Sequence, residues 1–117
     1  MTSTISVEIA PGELIDKITI LDIKLERITD AGKLANVRVE RETLCAARDS
    51  ALSPSAELDA LTAALKGVNE ALWEIEDDIR ECERAKDFGE KFIELARAVY
   101  TTNDERARLK RQINELL

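Results

Sequence analysis

Pro11-Gly12-Glu13-Leu14-Ile15-Asp16-Lys17-Ile18-Thr19-Ile20-Leu21-Asp22-Ile23-Lys24-Leu25-Glu26-Arg27-Ile28 is the stretch that decides the fold. Leu14, Ile18, Leu21, Leu25 and Ile28 recur at steps of four and three, which is one stripe of an α-helix. Ile15, Ile20 and Ile23 fall off that stripe, so apolar side chains point in nearly every direction. A helix that is apolar almost all round is surrounded by other helices. Asp16, Asp22 and Glu26 ride on the same helix, and a carboxylate does not leave water cheaply without a partner. The pattern predicts a central helix over 12–29 whose acids must be matched.

The next segment offers cations. Asp30-Ala31-Gly32 reads as a short turn, followed by a helix over 33–52. Its stripe is Leu34, Val37, Arg41, Leu44, Arg48 and Ala51, with two arginines where a helical seam wants apolar groups. A seam arginine either snorkels outward or meets a carboxylate. The expectation is a network in which Asp16, Asp22 or Glu26 meets Arg38, Arg41 or Arg48. The same acids, with Thr19 between them, can also hold a divalent cation or a cationic group of a ligand.

The longest pattern comes after Ser53-Pro54, read as N-cap and first helical residue. Leu58, Leu61, Leu65, Val68, Leu72, Ile75, Ile79 and Cys82 repeat strictly at three and four, predicting a helix over 54–86. Asp87 and Glu90 have the spacing of a capping box, and a last helix over 88–117 carries Phe92, Leu95, Val99, Thr102, Arg106, Leu109, Ile113 and Leu116 in one register. The phase survives Thr101-Thr102-Asn103, which favours one continuous helix over a break there. Short turns make neighbours antiparallel. The fold class is therefore all-α: one domain over 1–117, an antiparallel bundle of four helices with a long C-terminal helical hairpin.

Residues 1–10 precede the bundle. Ile5, Val7 and Ile9 alternate with Ser6 and Glu8, compatible with a short edge strand or an extended arm. With 35% charged residues and only 3% aromatics, stacking platforms for single strands of nucleic acid are nearly lacking. A net charge of −7 opposes both a duplex-binding face and adsorption to anionic lipid. No run approaches a membrane span, no secretory signal is visible, and the two cysteines match no metal or disulfide framework. The expectation is a cytoplasmic protein with no nucleic-acid or membrane partner. The overhanging hairpin seam calls for cover, most simply a homodimer, and a protein partner is a further expectation.

Candidate interface residues are Trp73, set among charges, and the basic cluster Arg106, Arg108, Lys110 and Arg111. For catalysis the inventory is thin: there is no histidine, no glycine-rich phosphate loop and no nucleophile–base pair of known type. No cofactor is expected on the first reading. The alternative is Mg²⁺ on Glu13-x-x-Asp16 and Glu74-x-x-Asp77, which resembles the paired acids of all-helical nucleotide pyrophosphatases. Their Glu-x-x-Glu element has no counterpart here.

A resemblance spans almost the whole chain. Pro11–Leu21, Lys33-Leu34-Ala35-Asn36-Val37-Arg38, Val68-Asn69-Glu70-Ala71-Leu72-Trp73, Phe92–Tyr100, and Thr102-Asn103-Asp104 with Lys110-Arg111-Gln112-Ile113-Asn114 resemble the signature blocks of a family of short bacterial and phage proteins of unknown function. Some of its members accompany or are fused to glycosyltransferase-type proteins, so the resemblance implies a link to carbohydrate or nucleotide-sugar metabolism. The reading is a non-enzymatic helical interaction or accessory module. The alternative is a small all-helical Mg²⁺-dependent nucleotide hydrolase.

Overall fold

The structure, a computed structural model, describes residues 3–117. Four helices follow one another: α1 (Pro11–Arg27), α2 (Ala31–Ala51), α3 (Ala56–Ala85) and α4 (Glu90–Leu116). The protein is all-α, and residues 3–10 form an extended arm with no strand pairing. The arm leaves Ile5 and Val7 exposed, so its alternation is not that of a half-buried strand. The first two residues of the expected arm lie outside the described residues.

α1 is the hub. It packs against α2, α3 and α4, whereas α2 packs against α1 alone. This explains why α1 is apolar nearly all round: Ile15, Ile18, Leu21 and Ile23 are all buried, though they lie on different faces. α2 buries only Val37 completely and leaves Val39 exposed, as a helix with one neighbour must. Ile15 joins Leu58, Leu65, Leu109 and Ile113 in the core between α1, α3 and α4, with Leu52 from the α2–α3 linker packed against it.

Helix ends differ from expectation where a side chain further along is the better cap. Asp30 is not part of a turn ahead of α2 but its N-cap, accepting from the Lys33 N–H at 2.8 Å; Gly32 consequently lies inside the helix. α3 starts two residues later than Ser53-Pro54 suggests, because the Ser55 hydroxyl accepts from the Leu58 N–H at 3.0 Å. Asp87 makes no capping box with Glu90; its carboxylate accepts from the Gly89 N–H at 3.1 Å and shapes the hairpin turn. Lys86 there adopts the left-handed conformation, φ 56°, as the Lys86 and Asp87 N–H groups return to the carbonyls of Glu83 and Cys82. α4 runs unbroken through Thr101-Thr102-Asn103.

One close approach fixes how α1 sits on α4. The Gly12 N–H donates to Asn114 Oδ1 at 2.7 Å. A β-carbon at Gly12 would clash with the Lys110 carbonyl oxygen, a backbone atom that cannot swing aside. The glycine is required by proximity, and the two helices meet there nearly backbone to backbone.

Candidate functional site

The acids of α1 separate once the bundle is assembled. Asp16 faces α3 and α4, Asp22 faces α2, and Glu26 reaches α3. Asp22 is bound by Arg41, and Glu26 by Lys66 at 2.5 Å. Arg48 pairs with its own neighbour Asp49 at 3.0 Å, and Arg38 is exposed with no ion pair among the described residues. Of the six residues of the expected α1–α2 network, only Asp22 and Arg41 meet each other.

Asp16 is the buried charge, 2% exposed, and its cation comes from α4. Arg106 lies against it side-on, Nε to Oδ1 at 2.9 Å and Nη2 to Oδ2 at 2.5 Å. Such a fork is the strong form of the ion pair. Asn69 of α3 donates through Nδ2 to Asp16 Oδ1 and to Thr19 Oγ1, both at 2.9 Å. Thr19 in turn donates to the Asp16 carbonyl at 2.7 Å. Lys110 Nζ stands 3.9 Å from Asp16 and binds Glu13 at 2.5 Å. Burial pushes the Asp16 carboxyl up, but the Arg106 and Asn69 hydrogen bonds and the charges of Arg106 and Lys110 outweigh it. The net result is an acid held below its ordinary range, and Asp16 is ionised.

Two sequence expectations change here. Arg106 and Lys110 are not members of an outward-facing basic cluster; both turn inward to α1 because the buried carboxylate must be matched. Arg108 does stay on the surface, paired along its own helix with Glu105, and Arg111 is exposed. The Mg²⁺ alternative loses its ligands. Glu13 is bound by Lys110, Asp16 by Arg106, Glu74 by Arg27 at 3.3 Å and Asp77 by Arg80 at 3.1 Å. Among the described residues no group of three or more potential ligands gathers to hold a metal ion.

Beside the Asp16 node opens a cleft of about 300 Å³. Ile20, Ile23, Leu72 and Trp73 give it an apolar floor and wall. Its polar groups are Asn69, Asn103, Arg106, Glu76 and Arg80. Trp73, a candidate interface anchor from the sequence, is half-buried as a wall of this cleft. Asn69 and Asn103 stand in the blocks that carry the family resemblance, but no pattern in the sequence marks either as a site residue. Arg106 carried a usable signal, because it occupies a seam position of α4 just as Arg41 does on α2.

The geometry defines a class: a helical protein built round a closed, buried ion-pair node with a small cleft against it. The chain belongs to DUF6165, a family of unknown function, whose family model matches residues 5–116. No curated protein and no solved structure matches it. Among the described residues no helix is long and apolar enough to cross a membrane.

Proposed function

We propose that this protein is a non-enzymatic helical interaction module, an accessory in carbohydrate or nucleotide-sugar metabolism that works in the cytoplasm. The observation that supports this reading is the closure of the central charges. Asp16 is tied to Arg106, Asn69 and Lys110, so neither it nor its partners is free to act as acid, base or nucleophile. The metabolic setting rests on the resemblance to short bacterial and phage proteins that accompany glycosyltransferase-type proteins.

The module works as a homodimer. Phe88 and Ile93 near the hairpin tip and Tyr100 towards the middle of α4 are at least half exposed, as are Ile5 and Val7 on the arm, and self-association gives such side chains cover. Light scattering at micromolar concentration is expected to give twice the 13.1 kDa of one chain; a mass of one chain would remove the dimer. Incubation with nucleotides and nucleotide sugars in Mg²⁺ is expected to release no phosphate above buffer. Turnover that disappears in Asp16→Asn would overturn the non-enzymatic reading.

A further inference from the structure

The cleft against the Asp16 node has hydrogen-bonding groups that no other described residue uses. Asn69 is 5% exposed, and its orientation is forced, because an ionised carboxylate accepts and only Nδ2 can face Asp16. Its Oδ1 must point the other way. It accepts no hydrogen bond among the described residues, yet every fully buried side-chain polar atom there is partnered. Oδ1 therefore opens into the space that Asn69 lines, which is the cleft. Asn103 lines the same cleft from the middle of α4, where asparagine is a poor helix former, and its amide makes no hydrogen bond among the described residues. Arg106 engages Asp16 through Nε and Nη2, and among the described residues its Nη1 has no partner and the Trp73 indole N–H donates to no group.

Charge narrows the ligand class. Both guanidinium groups that line the cleft are matched already, Arg106 by Asp16 and Arg80 by Asp77. Glu76 adds a carboxylate that has no ion pair among the described residues. An anion would meet no net positive charge. What remains is a mixed set of donors and acceptors round one aromatic wall, in a volume at the small end for ligand sites. Hydroxyl groups, which donate and accept at once, suit such a set. We propose that this cleft binds a small uncharged ring carrying several hydroxyl groups, either a free monosaccharide or the ribose of a nucleoside, against Trp73 between Asn69 and Asn103. The assignment rests on the interaction-module reading and supplies the ligand that the module would sense or hold.

Trp73 is the single tryptophan of the chain, so its indole N–H gives one unambiguous resonance in a ¹H–¹⁵N spectrum. The full chain is titrated with glucose, galactose, N-acetylglucosamine, uridine, uracil, glucose 6-phosphate and inorganic phosphate. A saturable shift of that resonance by a neutral hexose assigns the ring to a free sugar. A shift by uridine with none by uracil assigns it to the ribose. Asn103→Ala, a surface change that favours the helix, is expected to weaken binding roughly 3- to 10-fold, the loss of one neutral hydrogen bond. No response to any neutral sugar or to uridine overturns the proposal. So does a stronger response to phosphate or to glucose 6-phosphate, equal binding of uracil and uridine, or unchanged affinity in Asn103→Ala. Failure here leaves the non-enzymatic reading standing, since that reading is judged by phosphate release.

Discussion

Two arginine–carboxylate pairs show how differently the ends of this molecule are held. At the base, Arg106 of α4 grips Asp16 of α1, whose side chain is 3% exposed. Near the tip, Arg84 pairs with Glu81 three residues earlier on the same helix, both about two-thirds exposed. The tip pair forms whenever α3 is helical and says nothing about where α4 lies. The base pair joins residues 90 positions apart in sequence and forms only when α1 and α4 are in register. Water and salt screen the tip pair on both sides, whereas the Asp16 end of the base pair is buried and screened far less. The same chemistry is decoration in one place and an alignment device in the other.

The tip also lacks the layering of the base. There the core has contributions from three helices, with Ile15, Leu65 and Ile113 at 1%, 0% and 0% exposure. Toward the turn, burial narrows to a seam in which only Cys82 is fully covered. Phe88 and Phe92 meet edge to face, with centroids 5.3 Å apart, and Phe88 is still half exposed. The base is a small core with a charge inside it; the tip is a two-helix zipper.

The largest test of this contrast is Arg106→Leu, which strands Asp16 without its cation. Chemical denaturation is expected to show a loss of about 3–5 kcal/mol. A loss as small as that of a surface change would dissolve the distinction between the two ends. Acid sharpens it next. Because Asp16 is held below its ordinary value of 3.8, its stabilisation is present above that pH and is lost as pH falls through the lower folded value. The gap in stability between wild type and Asp16→Asn is expected to narrow below about pH 4. A gap unchanged at low pH would mean that the Asp16 charge is not what holds the base. The smallest effect belongs to Arg84→Ala, expected to move stability by less than about 0.5 kcal/mol.

The sequence shows the four helices plainly because burial leaves periodic marks. The α3 heptads and the all-round apolar character of α1 are direct consequences of which faces are covered. The centre of the charge network was harder to read. Chain proximity pairs Asp16 with the arginines of α2, the nearest helix in the chain, but α2 meets only the side of α1 that carries Asp22. Arg106 stood at a seam position of α4 by the same argument that singled out Arg41, and chain proximity hid it. Asn69 left less of a trace. α3 is covered on two sides, by α4 and by α1, and a single heptad stripe describes only one of them. The cleft left none, since Trp73, Asn103 and Arg106 come together only when α3 and α4 are laid side by side.

The contact of Gly12 with Asn114 has a consequence for anything joined to this chain. It stitches the first turn of α1 to the last turn of α4, joining residues 102 positions apart and closing the chain between them into a ring. Sequences attached before α1 and after α4 would therefore emerge at one pole, side by side, with the hairpin tip pointing away from that pole. The bundle can thus serve as a spacer inserted into a larger polypeptide without prising its host apart. A circular permutant with old ends linked and new ones opened in the hairpin turn would keep the same base.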